Sequence, residues 1–480
     1  MKIDNSLSTK KVAKNMVLSI SAQLVSVIAT FILNFIVPKY ITEISYAYWQ
    51  IYVLYVGYVG ILHFGLLDGI VLRYSQYDYD QLNKAKMQSQ FKWLLFSTTL
   101  ISICTIFITL LFFRNGFQNI IILVSVGIIT KNIFTYNSYL FQITNRINLY
   151  AILIVLQKVT YAIIVIILLF FKIDNFLWYC LADLIGDVVG IISSSFFNRG
   201  MYFGKHYSLK ETKIEISANI SSGFLLTIAN FSSFLLIGAA KMIIQWKWGE
   251  LVFGKIALSF SATNIFLVFI NAVSVVLFPS IKRVGKAKLP KIYDNIRKVI
   301  SPLLFFCLIF YYPLSIILNI WLPKYESSLV YLGILLPLIV YSSKVNLLTN
   351  NYLKAYRKEK IMFVINVISV LFGIFLFCLG AYVFNDLYFV LYSVVFSTFV
   401  KSVISEIVVS KYINRKYYSS YVIEFVMTVL FIVSARYCDF LKGFILYLIS
   451  LIIYMAINIK AICSIFRKIR YKINFYIHKH

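Results

Sequence analysis

The chain has 480 residues, 61% of them apolar, and its mean hydropathy is +0.84. So much apolar surface cannot be buried in soluble cores, which excludes a soluble, disordered or fibrous protein, and too few polar residues remain to build a large soluble catalytic domain. The 46 Lys and Arg residues against 18 Asp and Glu residues give a net charge of +28, whose meaning depends on where the charges lie.

Fourteen apolar stretches follow one another along the chain, most of them at least as long as the ~20 residues that cross the hydrocarbon core of a bilayer. The sequence therefore predicts an all-α polytopic membrane protein with about fourteen transmembrane helices. The predicted spans are residues 15–37, 47–72, 93–113, 117–142, 150–171, 176–197, 217–240, 255–280, 300–320, 327–349, 361–383, 387–409, 421–435 and 443–463.

The cationic residues predict the orientation of these spans. With the N-terminus assigned to the cytoplasm, thirty-three Lys and Arg residues fall in cytoplasmic segments and nine in outside loops. This bias follows the positive-inside rule and predicts that both termini are cytoplasmic. The basic loop 282–298 and the basic tail 467–472 are then expected to lie beside anionic lipid, and no nucleic-acid partner is predicted.

Short loops and missing motifs narrow the function. The longest predicted outside loop is 241–254, and the chain has no nucleotide-binding or metal-binding motif and no paired cysteine spacing. We therefore expect no enzyme activity, no metal and no cofactor. A channel, a secondary transporter or a structural membrane protein remains.

Ten ionisable residues fall within the predicted spans. Each charge near the middle of a bilayer costs on the order of 3 kcal/mol, so these residues are predicted to face one another or water inside the bundle. They are His63, Asp68, Lys131, Lys158, Asp183, Asp187, Lys344, Lys401, Glu406 and Glu424.

Helical spacing arranges several of these charges in polar stripes, which predict wet helix faces towards a common interior. The stripes are Lys131, Thr135, Ser138 and Gln142; Asp183, Asp187, Gly190 and Ser194; and Ser397, Lys401 and Ser405.

Two interpretations of the charges stay open. The lysines can line an aqueous cavity and attract an anion, or Lys131 or Lys158 can neutralise Asp183 or Asp187 and lock helices together. For Asp68, Glu406 and Glu424, near the cytoplasmic ends, the alternative is pairing with a nearby Arg or Lys. A lone His63 is more typical of a satisfied interior histidine than of a proton carrier.

An internal repeat relates the two halves of the chain. The pattern Lys131-x5-Asn137-x-Tyr139-Leu140 recurs as Lys344-x5-Asn350-x-Tyr352-Leu353, six spans later. An even offset predicts two parallel, pseudo-symmetric six-helix lobes with sites between them. We assign residues 1–213 and 214–412 to the lobes, and 413–480 to two extra helices, an appendage, and a basic cytoplasmic tail.

The end of the second span carries Gly65, Gly69 and Arg73, a G-x3-G-x3-R pattern that resembles the signature of polysaccharide-export flippases. Gly254 and the segment 278–283 (FPSIKR) resemble the corresponding part of the second lobe. The chain is similar in this respect, and in span pattern, to the Wzx-type oligosaccharide flippases of the multidrug/oligosaccharidyl-lipid/polysaccharide (MOP) exporter superfamily.

The resemblance implies a MATE-like fold and a place in the bacterial inner membrane. It implies alternating-access transfer of an undecaprenyl-diphosphate-linked oligosaccharide to the outer leaflet for O-antigen, capsule or other surface polysaccharide, coupled to an ion gradient. Implied partners are the lipid-linked substrate, membrane lipids, a polysaccharide polymerase and a chain-length regulator.

The candidate site residues have three predicted roles. Lys131 and Lys344 are predicted to hold the diphosphate, with Lys158 and Lys401 as further cavity cations; Asp183 and Asp187 would carry a coupling proton or sodium ion; Asp68, Arg73 and Glu406 are gate candidates at the cytoplasmic end. A lipid II flippase, a drug/cation antiporter and a polysaccharide polymerase or ligase remain alternatives.

Overall fold

A computed structural model of the chain describes residues 25–203, 207–282, 289–415 and 417–457. Every regular element in these ranges is a helix or a helical turn, so the predicted all-α class is confirmed there. The chain forms two compact units, Met1–Ala257 and Leu258–His480.

The first unit contains seven helices and the first part of an eighth within its described residues. They form because backbone groups in a bilayer find hydrogen-bond partners only within their own segment. The helices are α1 (Val25–Tyr40), α2 (Glu43–His63), α3 (Leu66–Tyr74), α4 (Lys84–Phe112), α5 (Asn115–Ile143), α6 (Ile147–Phe170), α7 (Phe176–Phe197) and α8 (Leu209–Lys282).

The second unit contains the rest of α8 and a further set of helices. They are α9 (Leu289–Trp321), α10 (Pro323–Leu335), α11 (Leu338–Ala355), α12 (Glu359–Val383), α13 (Leu387–Ile413), α14 (Tyr418–Arg436) and α15 (Phe440–Ile457).

Three helix breaks have local causes. Phe64 (φ 51°) and Gly65 (φ 90°) adopt left-handed conformations between α2 and α3, which are bent by 57°. Pro337 precedes α11, where α10 and α11 are bent by 42°, since proline lacks the amide that would continue the helix. Gly249 (φ 79°, ψ −176°) separates two helices within α8.

The described ranges hold fewer spans than the predicted fourteen. Ten helices are long and apolar enough to cross a membrane, or up to twelve if each bent pair is one span. Residues 15–24 of the first predicted span lie outside the described ranges. The predicted outside loop 241–254 is wrong, because this stretch is helical on both sides of Gly249.

Each unit has a hydrophobic core that includes one leucine of the internal repeat. Leu140 packs in a cluster with Tyr136 in the first unit, and Leu353 packs in a cluster with Tyr352 and Tyr293 in the second. In both copies the leucine belongs to the core of its own unit; the preceding tyrosine of the pattern packs against that core in the first copy (Tyr139) and lies within it in the second (Tyr352).

Candidate functional site

A buried charge cluster in the first unit joins α5 to α7. Lys131 of α5 places its Nζ 2.7 Å from Asp183 Oδ2 and 2.8 Å from Asp187 Oδ2, both on α7. The lysine side chain is 23% exposed, whereas the two carboxylates are 9% and 1% exposed. One ammonium group thus bridges two carboxylates, and the lysine is the most exposed of the three side chains.

Uncharged side chains from three helices complete the hydrogen bonding of these carboxylates. The Tyr52 hydroxyl donates to Asp183 Oδ2 at 3.0 Å, and the Thr130 hydroxyl donates to Asp187 Oδ2 at 3.3 Å. Gln157 Nε2 donates to Asp187 Oδ1 at 3.2 Å and to Asp183 Oδ1 at 3.4 Å. Such bonding is what makes a buried carboxylate pair tolerable, because an unsatisfied charged group is strongly destabilising.

Lys158 of α6 is the fourth charge in this region. It interacts electrostatically with Asp183, Asp187 and Lys131, but makes no ion pair within 4.0 Å among the described residues. Two lysines and two aspartates give the cluster a net charge of zero.

The charged residues of the polar stripes of α5 and α7 therefore meet. The structure shows Lys131 paired with Asp183 and Asp187, which is the second of the two interpretations left open by the sequence, and the predicted contact of Lys131 with a diphosphate stays a prediction. The physical reason is that an isolated buried charge costs more than an ion pair with satisfied hydrogen bonds.

A second buried cluster lies within the second unit. Lys344 Nζ of α11 lies 2.9 Å from Glu406 Oε2 of α13 and 2.5 Å from Glu424 Oε2 of α14. Arg297 of α9 pairs with the other oxygen of each glutamate, at 3.2 Å between Nη2 and Glu424 Oε1, and also through Nε to Glu406 Oε1. Two cations and two anions from four helices thus form a closed, neutral ring of charges.

This second cluster is more deeply buried than the first. None of the four side chains is more than 7% exposed, and that of Lys344 is 2% exposed. Lys344 is therefore paired with two glutamates, and its predicted contact with a diphosphate stays a prediction. Glu406, predicted as a gate candidate or as a partner of a nearby cation, is paired, and Glu424 connects α14 to α9 and α11 through its ion pairs with Arg297 and Lys344.

Lys401 of α13 stands outside both clusters. Its residue is 5% exposed, and it forms no ion pair or hydrogen bond with the part of the chain that the structure describes. It shares a helix face with Ser397 and Ser405, as the spacing predicts, and the Ser397 hydroxyl likewise lacks a partner within the described residues.

The glycines of the G-x3-G-x3-R pattern pack against the beginning of α8. A Cβ added to Gly65 would lie 2.5 Å from the backbone nitrogen of Phe224, and one added to Gly69 would lie 2.0 Å from the carbonyl oxygen of Asn219. A Cβ on Gly223 would in turn lie 2.1 Å from the carbonyl oxygen of Gly65. Only glycine permits so close an approach of two helix backbones.

The arginine of the same pattern continues this contact. Arg73 Nη1 lies 2.7 Å from Glu215 Oε1 and donates to Asn219 Oδ1 at 2.5 Å. Lys86 Nζ lies 3.2 Å from Glu215 Oε2, and the Tyr74 hydroxyl also donates to this carboxylate. Burial raises the pKa of the Glu215 carboxyl, but the hydrogen bonds from Tyr74 and Lys86 and the charge of Arg73 outweigh burial and hold that pKa below its usual range.

The remaining gate candidate and the interior histidine lie beside this contact. Asp68 accepts a hydrogen bond from the Thr227 hydroxyl of α8, and its Oδ2 lies 3.9 Å from His63 Nε2. His63 Nδ1 accepts from the backbone N–H of Gly65 at 3.1 Å. Asp68 and Arg73 therefore both connect α3 to α8, whereas Glu406 belongs to the cluster of the second unit.

Sequence reasoning missed several of these partners. The basic stretch 282–298 predicts Arg297 in a loop, although it lies within α9, and Glu215 and Gly223 are not among the predicted site residues. Their four-residue spacing along α8, Glu215-x3-Asn219-x3-Gly223, is complementary to Gly65-x3-Gly69-x3-Arg73 and could have indicated the contact. No group of three or more His, Cys, Asp or Glu residues in the described ranges is placed to hold a metal ion.

Solved structures share this architecture. An inward-facing multidrug resistance MATE family transporter of the MOP superfamily aligns with a TM-score of 0.63 at 11% identity, covering 82% of this chain and 96% of that one. A MATE in complex with MaL6 aligns with a TM-score of 0.58 at 13% identity, covering 84% and 97%. An outward-facing conformation gives 0.54 at 12% identity, covering 84% and 97%.

The fold is therefore that of MATE family transporters of the MOP superfamily, as predicted, and the chain is a multi-pass membrane protein. No protein-family model matches the sequence, and no curated protein matches it.

Proposed function

We propose that the protein is a Wzx-type flippase that moves an undecaprenyl-diphosphate-linked oligosaccharide across the bacterial inner membrane for surface polysaccharide synthesis. One observation carries the proposal: four of the five acidic residues in the predicted spans are held by Lys or Arg, while Lys158 and Lys401 lie outside these ion pairs. A membrane interior in which cations match or exceed anions favours an anionic cargo.

The substrate's diphosphate is assigned to Lys131 rather than to Lys344. Lys131 is 23% exposed, and since a charge facing lipid is costly, its exposed part is assigned to a wet surface. Lys344 is 2% exposed and surrounded by two glutamates, which favours a structural role. Lys158 and Lys401 remain candidates for later contacts with the sugar or the phosphates.

The proposed path keeps the polar headgroup out of hydrocarbon while the polyprenyl tail stays in lipid. Phosphates and sugar hydroxyls without hydrogen-bond partners in a bilayer would cost several kcal/mol each, and a wet path removes that barrier. Asp183 and Asp187 are proposed to carry the coupling ion, and the α3–α8 contact at Arg73 is proposed to open and close during alternating access.

A drug/cation antiporter is the alternative suggested by the multidrug transporters that share the fold. Binding a cationic drug calls for a carboxylate without a counter-ion, and the ion pairs at Asp183, Asp187, Glu406 and Glu424 disfavour it. A polymerase or ligase would need a large external loop. A lipid II flippase shares every physical feature described and is separated by phenotype.

Deletion and complementation test the proposal. Loss of surface polysaccharide without lysis supports it, whereas lysis supports the lipid II alternative. In liposomes, the protein should flip a fluorescent lipid-linked oligosaccharide, and the Lys131→Ala variant should flip it more slowly than the Lys442→Ala variant. Lys442→Ala is the control, because the native Lys442 side chain is 79% exposed. Drug efflux without flipping would overturn the proposal.

The proposed cellular setting can be tested separately. Reporter fusions at both ends should report a cytoplasmic location, and crosslinking in cells should recover a polysaccharide polymerase or a chain-length regulator. Recovery of neither partner would limit the proposal to the flippase itself.

A further inference from the structure

We infer that Lys131 is a counter-ion shared between the Asp183–Asp187 pair and an anionic diphosphate headgroup, so that binding the headgroup draws about one proton into the cluster. This inference rests on the proposed function for the chemistry of its ligand. It adds the sign of the linkage: the headgroup and the proton bind together and do not displace each other.

The first step of the argument is competition for one ammonium group. Lys131 Nζ lies within 2.8 Å of an oxygen of each aspartate, so both carboxylates use the same cation. The lysine is 23% exposed, while Asp183 and Asp187 are 9% and 1% exposed. The lysine is therefore the side chain of the cluster that a diphosphate would meet first, and we infer that the contact it makes is taken from the carboxylates.

The second step is the charge balance. Lys131, Lys158, Asp183 and Asp187 sum to zero, and engaging Lys131 with phosphate leaves two buried carboxylates with Lys158 alone. The resulting charge of −1 in a poorly solvated site is costly, and uptake of one proton by a carboxylate restores neutrality. The proton moves from solvent to a carboxylate oxygen, and no covalent bond of the ligand is changed.

The other side chains around the two aspartates carry no charge that could replace the proton. The other titratable side chains interacting with Asp183 are Tyr52 of α2, Tyr161 of α6 and Cys180 of α7. Tyrosine and cysteine in such apolar surroundings are neutral near pH 7, so they leave the balance unchanged. Gln157 and Thr130 donate hydrogen bonds to the carboxylates and carry no charge.

Replacing one aspartate of the pair by asparagine tests the charge balance. Asp187→Asn makes the cluster +1 at rest and neutral once the phosphate engages Lys131, so no proton is needed. Asp439→Asn is the control, because Asp439 is 76% exposed and pairs only with Lys442 in the described part of the chain.

The test uses the purified full-length protein and farnesyl diphosphate as the probe. Calorimetry in buffers of different ionisation enthalpy measures the protons taken up per probe bound. We expect the wild type and Asp439→Asn each to take up about one proton more per probe bound than Asp187→Asn near pH 7. The wild type should also bind the probe more tightly as the pH falls, whereas Asp187→Asn should not. Lys131→Gln should weaken binding about tenfold.

Equal proton uptake by the wild type and Asp187→Asn would overturn the inference, as would failure of the wild type to bind the probe. If Asp187→Asn does not fold, Asp183→Asn has the same charge and serves instead. Flipping in liposomes without linked proton uptake would refute this inference and leave the proposed function standing. Linked proton uptake without flipping would support this inference and refute the proposed function.

Discussion

A methyl group at Gly69 would enter the backbone of α8. The added Cβ would lie 2.0 Å from the carbonyl oxygen of Asn219 and 2.6 Å from its carbonyl carbon. Real contacts of this kind are not closer than 3.0 Å, so the helices would have to separate by about 1 Å. Gly223 interlocks with Gly69 from the other side, which leaves no side chain that could rotate away.

Overpacking of this kind costs about 1–3 kcal/mol, and the separation would also lengthen the contact of Arg73 with Glu215, now 2.7 Å. We therefore expect Gly69→Ala to lower the unfolding midpoint of the purified protein in detergent. Gly60→Ala is the matched control, because a Cβ at Gly60 would meet nothing within 4 Å among the described atoms. If both variants unfold at the same midpoint, the close approach of α3 and α8 does not exist as described.

Three further changes test other parts of the structure. Lys344→Met should destabilise the protein by about 3–5 kcal/mol in equilibrium unfolding, because two buried glutamates would share one arginine, and a cost no greater than that of Lys442→Met would refute the buried ring. Because the pKa of Glu215 is held below its usual value of 4.5, its contribution to stability is complete above that pH and is lost as the pH falls through the lowered folded value. The wild type should thus lose stability more steeply on acidification than Glu215→Gln, and parallel pH profiles would contradict this. Gly249→Ala should lower the free energy of unfolding by about 1–3 kcal/mol through backbone strain alone, since φ is 79° and no described atom crowds the position. An unfolding midpoint equal to that of the wild type would contradict this.

The alternatives that the sequence left open at Lys131 show where one-dimensional reasoning ends. Helical spacing put Asp183 and Asp187 on one face of α7, and the structure has them there. Spacing cannot rotate one helix against another, so it could not say whether that face meets water or the stripe of α5. Helix packing decided the question, because Lys131 and the two aspartates neutralise one another only when packing brings them together.

The same limit explains why Arg297 was missed. A charge-rich stretch predicts a loop when its ion-pair partners are unknown. The partners of Arg297, which are Glu406 and Glu424, lie on helices more than a hundred residues further along the chain. Gly69 is the converse case: its pattern was visible, but the reason for it, the backbone of Asn219, lies about 150 residues away.

The sequence by itself determined that this chain is a bundle of membrane helices with charges inside it, because apolar runs of bilayer length have no other stable arrangement in lipid. Only the tertiary structure decided which charges neutralise one another and which lysine keeps part of its surface accessible. Those properties depend on distances of a few ångströms between separate helices, and such distances are set by packing and not by the order of residues along any one of them.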